Sequence, residues 1–341
     1  MTATTVAPRT RVLRKRVVVL AVTITALAVA SALSLAVGTR SVPLADVWRV
    51  LWEADGSVAS DVVRGLRVPR TLLAIGVGAA LGLAGALMQA LTRNPLAEPG
   101  LLGVNLGAAT AVVSAIAFLG IANPAGYIWF AFLGAALTSA AVFAVGGVGR
   151  NATPERQVLA GVSLTAVLGA YIWGVLVTDA QTFNHYRYWD VGSLADRDSG
   201  TVVRVMPFIL AGVVLALSLG RRLNVLGMGD EAAVALGASP GRIRLLGITA
   251  ITLLCGAATA AVGPIWFLGL AVPYVARLLT GPDNRWVLIY SLVVGPTVFL
   301  LADVIGRVVV APSELAVGVV TAFVGAPVFL VICRRRRLGV L

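Results

Sequence analysis

Apolar residues along this chain fall into ten long runs separated by short polar clusters. They cover roughly 17–37, 68–91, 99–119, 127–146, 157–178, 202–220, 245–263, 265–280, 286–306 and 314–333. A helix rises 1.5 Å per residue, so crossing about 30 Å of hydrocarbon takes about 20 apolar residues. Most of the runs meet that length. The eighth is short and is interrupted by Pro264 and Pro273, so it is predicted to be tilted, broken or only partly spanning. The pattern predicts an all-α polytopic membrane protein of about ten transmembrane helices. The basic stretch Arg9 to Arg16 ahead of the first run resembles the start of a signal peptide. The run behind it is longer than a signal core and nine more follow, so an uncleaved first span is expected.

Two polar segments have a grammar of their own. The longer opens at Arg221 and closes at Arg244. Asp230 is placed to cap a short helix beginning at Glu231, Ala232, Ala233, Ala235 and Leu236 favour that helix, and Gly237 supplies a left-handed stop. Ser239 reads as a second cap with Pro240 at the first helical position. Two short helices joined by a tight turn are expected, with Val234 and Leu236 available to a partner; an elbow that merely joins two spans fits the same grammar. The other segment, 179–201, carries Tyr186, Tyr188 and Trp189. These fit an interfacial aromatic belt, or contact with a ligand or a delivering protein.

Composition strengthens the membrane reading. Of 341 residues, 59% are hydrophobic and 12% charged, against about 25% charged in soluble domains; the mean hydropathy is +0.94. The net charge of +12 lies in short clusters between spans, which the positive-inside rule explains better than a nucleic-acid groove does. With the N-terminus inside and the spans alternating, eighteen of the 27 basic residues fall on the inner side. Both termini are therefore expected in the cytoplasm of a multi-pass protein of the cell membrane, with lipid around it and no nucleic-acid partner.

Several chemistries lack their residues. The only lysine is Lys15 in the basic tail, so no phosphate-binding loop ending in lysine exists in this chain. His185 stands alone, and Cys255 and Cys333 lie far apart, so no catalytic group, cofactor site or metal site is expected. Glu98 and Asp303 are the nearest candidates for an ionisable group within a span, and both fall near predicted ends. Asp303 and Arg307 are four apart and are expected to pair on one helical face. Gly78 with Gly82, and Gly103 with Gly107, have the spacing of close helix packing. A transport path through such spans needs energy from elsewhere.

Four stretches then carry a family resemblance. They are LRVPRTLLAIGVGAALGLAGALMQALTRNPLAEPGLLGVNLGA from Leu66, LGMGDEAAVALGASPGRIR from Leu226, GAATAAVGPIWFLGLAVPYVARLLTGPDNRW from Gly256, and ADVIGRVVVAPSELAVGVVTAFVGAPVFLVICRRR from Ala302. In order and spacing they resemble the FecCD-type, or type II, permeases of bacterial iron–siderophore, haem and vitamin B12 ABC importers, and within these the permeases for catecholate siderophores. Tyr274 and Asn284 stand where similar proteins often have histidine, which puts any pH-sensitive role there in doubt. The resemblance implies a type II ABC importer permease fold at 17–337, between a basic tail at 1–16 and a C-terminal tail at 338–341. It implies a coupling segment at 226–244 that docks on an ATPase through Asp230, Glu231, Val234, Leu236, Gly237, Ser239, Pro240 and Arg242. The implied partners are two cytoplasmic ATP-binding subunits, a second permease copy or paralogue, and a periplasmic or lipid-anchored substrate-binding protein. The path is implied to run between two permeases, lined partly by the second and fifth helices. Ferric siderophore import is the function implied; haem or cobalamin import, or an ion-gradient carrier, are the alternatives.

Overall fold

The first apolar run is carried by helix α1, Arg9–Ala36, so the basic stretch from Arg9 winds directly into the span. The structure is a computed structural model and describes residues 9–38, 42–53, 56–121, 123–146 and 154–334. The C-terminal tail 338–341 and residues 1–8 of the basic tail lie outside them. After α1 come a short helix α2, Leu44–Trp52, and a single turn α3, Val58–Ser60. A π-helical stretch, Asp61–Arg67, joins α3 to α4, Val68–Thr92. A 3-10 turn at Pro99–Leu102 leads to α5, Val104–Leu119, then α6, Pro124–Val145, and α7, Pro154–Thr178. Then follow α8, Ala180–Asp190; α9, Ser199–Ser218; α10, Gly220–Gly227; α11, Asp230–Ala235; and α12, Pro240–Val262. The chain closes with α13, Leu268–Thr280; α14, Asn284–Val309; and α15, Val317–Arg334. No strand occurs among the described residues.

Ten of these helices match the ten apolar runs. Seven are long and apolar enough to cross a membrane, while those in α5, α13 and α15 are shorter. Helix α13 has 13 residues, about 20 Å at helical rise, too short for the hydrocarbon. The backbone ahead of it, Gly263 to Ile265, is irregular and buried. Protein must surround such backbone inside a membrane, and here Ser193 N donates to Val262 O at 2.8 Å.

The core is built around α4, which packs against α9, α12, α13 and α14 and is buried along nearly its whole length. Glycine makes this possible. A Cβ on Gly78 would sit 2.6 Å from the Pro296 backbone of α14, and one on Gly85 would overlap the Gly269 carbonyl of α13. The second glycine pair works likewise, with Gly103 and Gly107 set against Thr138 of α6.

The structure bears on the expectations for three segments. Of the two spans expected to line a path, the second, α4, is enclosed by neighbours of its own chain, whereas the fifth, α7, is exposed. Segment 179–201 is not a belt around the bundle. Helix α8 turns Tyr186 and Trp189 inward, leaving 5% and 2% of their surface exposed, while Tyr188 stays outside. The Tyr186 hydroxyl donates to Asp190 at 2.8 Å, and burial raises the Asp190 carboxyl above its usual range. Third, Asp303 does pair with Arg307, at 3.0 Å, but as part of a larger cluster. Arg70 from α4 reaches both Asp303 and Glu314 at 2.7 Å. Arg67 donates to the Leu35 and Ala36 carbonyls, and Arg307 to those of Ser34 and Val37. Two arginines thus satisfy the last carbonyls of α1, which a helix end otherwise leaves unpaired.

Candidate functional site

The expected coupling residues gather at the end of the bundle where α1 begins and α4 ends. Helix α11 forms a shoulder between α10 and α12. Gly229 before it and Gly237 after it take φ values of +107° and +77°. Beyond α11, Gly237 N donates to Val234 O and Ala238 N to Ala233 O, both at 2.9 Å, the paired bonds of a glycine-terminated helix. Ala233 is fully buried, whereas Val234 and Leu236 are each 61% exposed. Glu231, Ser239 and Arg242 are also exposed, and Pro240 is half-buried.

The grammar of this segment was legible, but two cap assignments are corrected. Pro240 does occupy the first turn of a helix, yet neither the Asp230 nor the Ser239 side chain caps one. The second helix is not short either, because Pro240 opens the 23-residue span α12. The second short helix is instead α10, which precedes α11.

Asp230 is otherwise engaged. Its carboxylate accepts from Arg93 at 2.6 Å and from Arg244 at 2.8 Å. Arg93 directly follows α4 with φ +51°, and its Nη2 also donates to Leu226 O of α10 at 2.8 Å. Arg244 lies in the second turn of α12 and is nearly buried. One carboxylate therefore ties the shoulder to two core helices. Asn224 of α10 adds a third tie, donating to Asp283 at 2.7 Å and accepting from Asn284 N at 2.8 Å. Arg93, Arg244 and Asn224 were not among the expected site residues. Arg93 and Asp230 lie 137 positions apart, and no local pattern links them.

Beside the shoulder lies a hollow of about 390 Å³, lined by Arg221, Arg222, Arg242, Val225, Leu236 and Ser239 among others, with no carboxylate. Basic side chains beside exposed apolar ones suit a partner surface that is acidic and apolar.

Ahead of α13, the Phe267 amide donates to the Glu98 carboxylate at 2.8 Å. Phe267 holds φ +66°, an uncommon conformation for a bulky residue, just before α13. Glu98 thus anchors a helix start rather than standing free in a span.

Comparison with known proteins adds family context. Residues 18–335 match the profile of the FecCD transport family. The ferric enterobactin transport system permease protein FepD of Escherichia coli (strain K12) is 45% identical over 92% of this chain and 94% of its own length. The hemin transport system permease protein HmuU of Yersinia pestis is 38% identical over 85% of this chain and 88% of its own. Among solved structures, an inward-facing conformation of a metal-chelate type ABC transporter superposes with a TM-score of 0.82 at 28% identity, covering 92% of this chain and 98% of that one.

Proposed function

The chain belongs to the FecCD transport family, and on that premise we propose that it is the membrane-spanning permease of an ATP-driven importer that carries ferric siderophore complexes into the cytoplasm. ATP is hydrolysed on two separate subunits, one of which docks at the α11 shoulder of this chain. A second permease, identical or paralogous, completes the path, and a periplasmic or lipid-anchored binding protein delivers the cargo. The observation that carries this reading is the shoulder itself: Val234 and Leu236 project from a helix that Asp230 ties to α4 and α12. Movement of a docked ATPase would reach the core through that carboxylate. Asp230, Glu231, Val234, Leu236, Gly237, Ser239, Pro240 and Arg242 form the docking segment, with the basic hollow receiving acidic side chains of the ATPase.

The cargo follows from the chemistry of iron. Ferric ion requires hard oxygen ligands, and a bare ion is poorly solvated among apolar, small-residue spans. A chelator brings the ligands with it. Similarity to the ferric enterobactin permease favours a siderophore; haem is the second reading, on similarity to the hemin permease. Reconstitution with the cognate ATPase and binding protein, using separately labelled iron and siderophore, should show both labels entering one-to-one and only with ATP. Iron entering alone, or haem entering with no siderophore uptake, would refute this cargo.

Orientation is part of the same proposal. The α11 end and both termini face the cytoplasm, where the basic residues concentrate. Single cysteines at Ser57 and Ser193, in a background free of other cysteines, should react with an impermeant thiol reagent from outside, and one at Ser239 only from inside. Labelling of position 239 in intact spheroplasts contradicts the assignment.

A further inference from the structure

At the α11 end, apart from the basic hollow, a second cavity of about 230 Å³ opens between α4, α10 and the α13–α14 turn. Gln89, Arg93, Asn224, Arg277 and Asn284 supply its polar lining. Its hydrogen bonding is incomplete. Gln89 is fully buried; its Nε2 donates to Leu270 O at 3.3 Å, while its Oε1 has no partner among the described residues. Arg277, in the last turn of α13, has buried Nε and Nη2 atoms that likewise have none. Buried polar atoms are rarely left so.

The charge is also unbalanced. Two arginines line the cavity and no carboxylate does. Arg93 is engaged by Asp230, whereas Arg277 forms no ion pair among the described residues. Water would satisfy a lone pair but brings no charge, and a buried guanidinium calls for an anion. The unpaired atoms define which anion. Arg277 offers donors, and Gln89 offers an acceptor that needs an O–H or N–H. Sulfate and ionised carboxylates carry no such hydrogen near neutral pH. Inorganic phosphate does, because its last proton leaves only far above neutral pH, and a monoester keeps one in part, its second ionisation falling at about pH 6.

We propose that this cavity binds a hydrogen-bearing phosphate group, with Arg277 donating to its anionic oxygens and Gln89 Oε1 accepting its O–H. Free phosphate and the monoester headgroup of phosphatidic acid present the same chemistry. The site is independent of the transported cargo, so its failure and that of the transport reading are separately visible.

The test uses the full chain in phosphatidylcholine nanodiscs near pH 6.5. Inorganic phosphate should bind saturably, one per chain, and sulfate at least tenfold more weakly. Arg277→Gln should weaken phosphate at least tenfold, Arg277→Lys should retain part of the binding, and Gln89→Leu should erase the preference over sulfate. Nanodiscs containing phosphatidic acid or phosphatidylglycerol separate the sources. Arg277-dependent retention of phosphatidic acid without binding of free phosphate assigns the site to the lipid headgroup. The wild-type arms stand even if a variant fails to fold. The proposal is overturned if neither phosphate source binds, if sulfate or phosphatidylglycerol binds equally well, or if a folded Arg277→Gln chain binds as the wild type does.

Discussion

Asp230→Asn should insert into the membrane normally and assemble, yet lose most of its substrate-stimulated ATP hydrolysis and uptake. The carboxylate holds Arg93 and Arg244 together, and asparagine keeps the shape while removing the charge. A hydrogen bond to a charged group contributes about 1.5–3 kcal/mol, but Asp230 is 44% exposed, so solvent screening leaves about 1–2 kcal/mol. Each 1.4 kcal/mol is about a tenfold change in an equilibrium. The shoulder would then leave its seat often enough to lower coupling about tenfold. Arg93→Gln should do the same in part, and the double variant should fall short of the summed effects, because both substitutions break one network. Wild-type stimulation in a correctly assembled Asp230→Asn complex would sink the idea that this carboxylate transmits movement.

Gly85→Val should leave almost no folded protein. A Cβ at this position overlaps the Gly269 carbonyl, so α4 and α13 must separate before any side chain fits. Interiors are packed too tightly to absorb that locally, and overpacking by one or two methyl groups already costs about 1–3 kcal/mol where the backbone can yield. Here the obstacle is backbone on the most enclosed helix of the bundle. Gly174→Ala on exposed α7 is the control, since nothing lies within 4 Å of its added Cβ. The measurement is yield and thermal melting in detergent: Gly174→Ala should match the wild type and Gly85→Val should fail. Equal melting of the two would mean that the close approach of α4 and α13 is not required.

Much of this was legible because a bilayer demands long apolar helices, and such runs announce themselves. All ten runs became helices, and glycine spacing marked α4 and α5 as close-packing elements. What escaped was whatever depends on distant partners. The π-helical stretch and the arginines that close α1 carry no periodic signal. Tyr186 and Trp189 look interfacial in sequence, and only the fold of α8 turns them inward. In the shoulder, the glycine stop and Pro240 follow from local backbone rules. Asp230 looks like a cap in sequence because capping is local, whereas its partners come from the end of α4 and from α12. Sequence grammar gives the shape of the shoulder and misses what fastens it.

The closure of α1 by arginines of later helices bears on how the chain is made. Ser34 and Arg307 are 273 residues apart, so the ribosome delivers the first helix long before its final partner exists. Arg67 serves the Leu35 and Ala36 carbonyls early, but until α14 is synthesised those of Ser34 and Val37 wait without the guanidinium that completes them. A nascent or truncated chain ending before α14 therefore carries an unfinished first helix, a lasting mark of incompleteness at its opposite terminus. Completion of the last quarter of the polypeptide is what seals the first.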